Sequence, residues 1–239
     1  DGGSIPPSST TNTHQTVPRD GLFFWTTHPP SGMTADSDTP PPAPRYAPPP
    51  DDPVVVFADD FLVVLDKPAG LLSVPGRGAE RADCLAVRVQ ARFADARIVH
   101  RLDMSTSGLL VLARGEAMQS EINRLFRERA VDKRYLAVVD GELTETAGEI
   151  DLPLICDWPN RPRQCIDPVI GKPSLTRWQV LSRDVERQRT RLALQPITGR
   201  SHQLRVHLQS VGHPMLGDRL YGGPIATPRA PRLLLHASD

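Results

Sequence analysis

His100-Arg101-Leu102-Asp103-Met104-Ser105-Thr106-Ser107-Gly108-Leu109-Leu110-Val111 sets charged side chains and a polar turn directly against an apolar run. The run from Leu109 to Ala113 predicts a core strand, and Gly108 at its start permits close approach by another backbone. Asp103 then sits on a rigid lip, where reacting groups are best held. Two readings of it stay open at this level: a structural ion pair with Arg101, or a nucleophile.

Outward from this segment the pattern is orderly. Upstream, Val54-Val55-Val56-Phe57 and Phe61-Leu62-Val63-Val64-Leu65 flank Ala58-Asp59-Asp60 and predict a hairpin, which Lys67-Pro68-Ala69-Gly70 ends. Leu85, Val89 and Phe93 lie four residues apart, one stripe of a helix over Cys84 to Phe93. Downstream, Met118, Ile122, Leu125 and Phe126 form the apolar stripe of a second helix, whose Arg124, Arg127 and Arg129 point elsewhere. Those arginines fit a solvated face as well as a binding one. Tyr135 to Val139, Glu149 to Ile155, Thr176 to Leu181 and Arg191 to Gln195 read as further strands, several of them alternating apolar with polar. Ser201 is a suitable N-cap for a short helix with Leu204, Leu208 and Val211 inward. Strands dominate without regular alternation with helices, which predicts an α+β domain on a mixed or antiparallel sheet.

Residues 1–50 differ in kind: they hold 12 of the 25 prolines, with Ser, Thr and Gly filling much of the rest. Such a stretch builds neither a regular helix nor a central strand, so a disordered tail is expected there and one domain over 51–239. Phe23-Phe24-Trp25 within it is either a small docking element or incidental. Lys+Arg and Asp+Glu balance at 28 each, which argues against a protein that coats nucleic acid by bulk attraction. A local basic patch is still compatible. Only Lys67, Lys133 and Lys172 are lysines, and the arginine bias suits phosphate contacts and base stacking or merely reflects a GC-rich genome.

The three cysteines, Cys84, Cys156 and Cys165, are odd in number and widely spaced, so neither a disulfide framework nor a thiolate zinc site is expected. A reducing cytoplasm fits. No apolar run approaches the roughly 18 residues of a membrane span, and no membrane partner is expected. Histidine-bound zinc fits poorly, because His202 and His207 are five positions apart, which on a helix is roughly 140° of rotation. Ser73, Ser105 and Ser107 lack a nucleophile-elbow frame. There is neither a P-loop nor a dinucleotide fingerprint, so no cofactor is implied. What survives is carboxylate chemistry without metal or cofactor.

At this point the motifs converge on a family. His100-Arg101-Leu102-Asp103 with Ser107-Gly108-Leu109 resembles the signature of the RluA-type pseudouridine synthases. So do Lys67-Pro68-Ala69-Gly70-Leu71, Lys133-Arg134-Tyr135, Gly199 through His207, Gly212-His213-Pro214, Gly217-Asp218 and Leu234-Leu235-His236-Ala237, in the family's order. Leu71 to Gly76 and Ile155 to Pro162 resemble in particular the subfamily that modifies both 23S rRNA and tRNA.

The resemblance implies an Asp103 nucleophile that attacks a uridine, whose base is released, rotated and rejoined to ribose through carbon. It makes Arg205 the charge partner that favours the ionised Asp103, and Tyr135 the active-site tyrosine, able to stack on uracil and assist proton movement. The target base must leave its stack, and Arg101 is the expected occupant of the vacated place, with His100 an expected substrate contact. Arg124, Arg127, Arg129, Lys133, Arg161 and Arg163 are then expected substrate contacts, through phosphate. The implied partners are a tRNA anticodon stem-loop and a 23S rRNA hairpin, bound by a monomer. The family's frequent S4 domain is not expected in the proline-rich 1–50 segment, and the resemblance implies further sheet after Asp239, without which an edge would lie open. A single-specificity synthase and a non-catalytic RNA-binding protein or chaperone are the alternatives; intact Asp103, Tyr135 and Arg205 argue against the latter.

Overall fold

The computed structural model describes residues 46–239; the expected tail, Phe23-Phe24-Trp25 included, lies outside the described residues up to position 45. Contacts of the domain begin earlier than the expected boundary at 51. Tyr46 donates its hydroxyl to Asp83 O and accepts from Leu72 N–H, each at 3.0 Å, and Arg88 donates to Pro49 O at 2.9 Å.

β1 (Val54–Ala58) and β2 (Leu62–Lys67) form the expected antiparallel hairpin. Its turn is closed by Asp59 Oδ1, which accepts from the N–H groups of Phe61 and Leu62, both at 2.8 Å. α1 (Leu85–Gln90) buries Leu85 and Val89, and its first N–H groups, from Leu85 and Ala86, bond Leu72 O and Ser73 O. β3 (Ala96–Ile98) leads into the Asp103 turn, β4 (Ser107–Arg114) leaves it, and α2 (Gly115–Arg127) follows.

β5 (Tyr135–Asp140), β6 (Ala147–Asp151), β9 (Leu175–Asp184) and β10 (Arg189–Pro196) build the other half of the sheet, and β7 (Leu154–Cys156) with β8 (Gln164–Ile166) forms a separate ribbon. α3 (Gln203–Ser210), the short α4 (Gly223–Ala226) and β11 (Leu235–Ala237) complete the order. The main sheet runs β1-β2-β4-β11-β5-β10-β9-β6, with β3 also on β4, and among these pairings only β4–β11 is parallel. This is the mixed, largely antiparallel α+β architecture expected.

β11 joins the two halves, pairing with β4 on one side and β5 on the other. Gly108 is where it comes closest: its φ is +112°, and a Cβ there would overlap the Ala237 backbone. Two apolar clusters meet at this seam, one around Leu65, Leu110 and Leu112 that includes Ala237, the other around Val139, Leu192 and Leu208 that includes Leu235. Each buried Leu or Val contributes about 1.5–3 kcal/mol. Tyr135 packs against both clusters and so stands at the seam.

Three local expectations are corrected. The strand expected over Glu149 to Ile155 is two, because Pro153 has no N–H to continue a ladder and the chain leaves the sheet there. Ser201 is not the N-cap of α3; His202 is, in a left-handed conformation with φ 53°. Val211 is 44% exposed, while Gln203 through His207 are buried along with Leu204 and Leu208. Helix α3 therefore runs through the interior rather than lying across the surface.

Candidate active site

Both ends of the Asp103 turn are fastened. On its near side, Leu102 donates its N–H to Ser73 Oγ at 3.2 Å and accepts the Ser73 hydroxyl at 2.6 Å. On its far side, Met104 O accepts from Gly70 N–H at 2.8 Å and from Lys67 Nζ at 3.2 Å. Lys67 is fully buried, and its ammonium also donates to Pro68 O and Leu71 O. Burial pulls its pKa down to about 8, an effect the nearby Asp103 charge opposes. The loop after β2 and the turn before β4 are thus one assembly with Asp103 on its edge.

α3 brings Arg205 to it from the other half of the molecule. Arg205 Nη1 donates to Asp103 Oδ2 at 3.2 Å, while its Nε and Nη2 fork onto Asp218 at 2.8 and 2.7 Å. Arg205 is 3% exposed and the Asp218 side chain 0%, whereas the Asp103 side chain keeps 28% exposure. One carboxylate of this triad is therefore buried and structural, and the other faces solvent. Burial alone would raise the Asp218 pKa, but the Arg205 fork and the N–H groups of Leu220 and Tyr221 outweigh it and hold it below the usual range. The Tyr221 ring lies under the Arg205 guanidinium at 5.0 Å.

The triad opens into a cleft of about 840 Å³ whose walls include Arg101, Arg127, Arg129, Lys133, Tyr135 and His202. Burial, with the Asp103 charge adding to it, pushes the Tyr135 phenol up to about 12, so its hydroxyl keeps its proton at neutral pH. Arg101 is exposed and makes no ion pair with Asp103 among the described residues. The bland alternative for Asp103, pairing with its near neighbour, is not what the fold does. His100 also lines the cleft, but its ring is committed: Nε2 accepts from Val111 N–H at 3.0 Å in the stretch of β4 that neither β3 nor β11 covers, and it stacks on Phe126 at 4.7 Å. Burial takes its pKa down to about 4, with Lys133 contributing, so the imidazole is neutral.

The remaining expected contacts lie off the cleft wall. Arg124 is paired along α2 with Glu121 and Glu128, both at 2.5 Å. Arg161 lies over the exposed Trp158 ring at 4.6 Å, and Arg163 over Tyr221 at 5.1 Å. His202 and His207 are directed apart: His207 is buried against Thr176 Oγ1 and Leu152 O.

A family model described as RNA pseudouridylate synthase matches residues 61–210, which contain the Asp103 turn, Tyr135 and Arg205. The chain belongs to this family. A dual-specificity RNA pseudouridine synthase RluA from Yersinia pestis is 53% identical over 185 residues, covering 77% of this chain and 89% of that protein. Its counterpart from Escherichia coli K12 is 50% identical over 77% of this chain and 83% of that protein. Among solved structures, human RNA pseudouridylate synthase domain containing 1 has a TM-score of 0.67 at 33% identity, covering 78% of this chain and 76% of the other. As a member, the chain is an RNA pseudouridine synthase, an isomerase whose substrate is RNA.

Sequence reasoning named Asp103, Tyr135 and Arg205 but gave no role to Asp218, Lys67, His202 or Tyr221. A signal existed for Asp218: a lone acid between Met215-Leu216-Gly217 and Leu220-Tyr221 is flanked by residues that bury, and a buried acid needs a partner. Lys67, ending an apolar strand, carries the same signal.

Proposed function

We propose that this synthase isomerises specific uridines both in a tRNA anticodon stem-loop and in a 23S rRNA hairpin, with Asp103 as the nucleophile. The observation that carries the chemistry is the solvent-facing Asp103 carboxylate, fixed on a clamped turn and held at one oxygen by a buried arginine. Arg205 keeps the carboxylate charged for attack. The base then detaches from its N1 link, turns, and bonds to ribose through C5; the bond to Asp103 breaks again, C5 gives up its proton and N1 takes one up, so the product is an isomer of the substrate. Tyr135 offers a ring to stack on uracil, and its retained proton makes it a donor to the base rather than a general base at neutral pH.

Arg101 is free to enter the stack that the flipped uridine leaves, while Arg127 and Lys133 meet phosphates at the cleft rim. His100 acts in this reading by completing the β4 edge beneath Arg101. The dual target is supported by relatives named for dual specificity that are 53% and 50% identical over 77% of the chain. The enzyme works as a monomer in the cytoplasm, and the free state of Cys84, Cys156 and Cys165 accords with a reducing compartment.

The test is pseudouridine mapping of tRNA and rRNA transcripts incubated with the protein and with Asp103→Asn. Sites in both RNA classes are expected with the wild type and none with the variant. Sites in one class only would reduce the enzyme to single specificity. Modification that persists in a folded Asp103→Asn protein would remove Asp103 from the mechanism.

A further inference from the structure

His202 has no part in the chemistry described above, yet its setting is unusual. It is a non-glycine residue at φ 53°, ψ 14°, a conformation disfavoured for a side chain with a Cβ and common where a fold holds a functional group in place. Its side chain is 12% exposed. One ring nitrogen, Nε2, lies 3.7 Å from Asp103 Oδ2, the same oxygen that accepts from Arg205. The other, Nδ1, is 2.7 Å from the Tyr221 hydroxyl, and the two rings meet edge to face.

The hydrogen bonds around Tyr221 settle which nitrogen carries the proton. The Tyr221 oxygen accepts the Gln164 N–H at 2.8 Å, and burial pushes the phenol up to about 12, so its proton stays in place. Among the described residues the acceptor within reach of that proton is His202 Nδ1. Burial lowers the pKa of His202, an effect that Asp103 and Asp218 oppose and Arg205 reinforces, so the ring is the neutral form. A neutral ring that accepts at Nδ1 carries its hydrogen on Nε2, directed at Asp103.

We infer that His202 is a positioning residue for the isomerisation: its tautomer is fixed by Tyr221, and its Nε2–H, with Arg205, holds Oδ2 of Asp103 and so orients the carboxylate for attack. The separation is 3.7 Å, and this role requires it to shorten to hydrogen-bond length in the complex with RNA. Tyr221 also ties the device to the β7–β8 ribbon, because it accepts from Gln164 at the start of β8 and stacks under Arg163. The inference rests on the synthase activity but not on which RNA is modified, since the wild-type protein on its own modified RNA is the reference.

Two substitutions separate positioning from backbone accommodation, because the two roles rank them oppositely. Glutamine can place an amide N–H near the Nε2 position, but its side chain suits the left-handed backbone poorly. Asparagine suits that backbone well but does not reach Asp103. Release of tritium from 5-tritiated uridine RNA, measured at a series of RNA concentrations, gives kcat and KM for each variant. His202→Gln is expected to stay within about 5-fold of wild-type kcat and His202→Asn to fall about 100-fold, both at nearly unchanged KM. If His202→Asn equals or exceeds His202→Gln, the inference is overturned and the residue is there for its backbone.

An activity-independent readout accompanies these. Nitrogen NMR of the histidine-labelled full chain is expected to show His202 with unprotonated Nδ1 and protonated Nε2, and Tyr221→Phe to abolish that preference and lower kcat about 10-fold. A protonated Nδ1 in the wild type would likewise overturn the inference.

Discussion

Arg205 satisfies two carboxylates at once, and its removal strands both. Asp218 is fully buried, so Arg205→Leu leaves a charge that must be protonated or hydrated at a cost of about 3–5 kcal/mol, besides releasing Asp103. Urea denaturation should show that loss, and pseudouridine formation should disappear with it. Asp218 contributes stability above the ordinary carboxylate pKa and loses it as pH falls toward its lowered value in the fold. His100 gives a second acid-side effect in a different window. Its pKa is about 4 in the fold against 6.5 free, so between those values the unfolded chain binds more protons and stability falls as pH drops. His100→Gln keeps an acceptor for Val111 N–H but does not titrate. Its stability should fall less steeply than that of the wild type from pH 6.5 to 4, as measured by denaturation across that range.

Among the elements, β11 depends on its neighbours most directly. At three residues it has little intrinsic preference, and it is fixed by β4 and β5, whose paired residues lie 98 to 129 positions earlier. Gly108→Ala combines a left-handed φ with overlap on the Ala237 backbone, and should cost at least about 2 kcal/mol. A calorimetric scan should place its Tm about 5 °C or more below the wild type. The arginines divide by element as well. Arg124 is occupied by Glu121 of α2 and by Glu128 at its C-cap, and Arg124→Ala should leave RNA affinity unchanged. Arg127 and Lys133 line the cleft, and replacing both by Ala should reduce the salt slope of RNA binding by about 2. Arg161 and Arg163 lie in the loop joining β7 to β8, and an unchanged slope after their replacement would remove them as phosphate contacts. Helices α1 and α2 were legible because each carries an apolar stripe at a regular period, and the β1–β2 hairpin because two apolar runs flank a polar turn. β3, β8 and β11 were not, since strands of three residues are too short to show a period.

At the scale of the molecule, a chain with no net charge must concentrate positive charge where RNA meets it, and the cleft wall does so with Arg101, Arg127, Arg129, Lys133 and Arg200. The cleft lies where the two apolar clusters and the β11 seam meet, so groups from both halves converge on it. Periodicity and turn chemistry, which act over a few residues, were enough for the sequence alone to determine the α+β class, the strand behind Asp103 and the order of the motifs. The family resemblance named Arg205 as the partner of Asp103, but the fork of Arg205 onto Asp218, the burial of Asp218 and Lys67, and the approach of His202 were decided only by tertiary structure. Asp103 and Arg205 are 102 positions apart, and no local rule joins them. Packing a helix through the interior brings them together, and burial there leaves the Arg205 charge no partner but the carboxylates of other segments, Asp103 and Asp218.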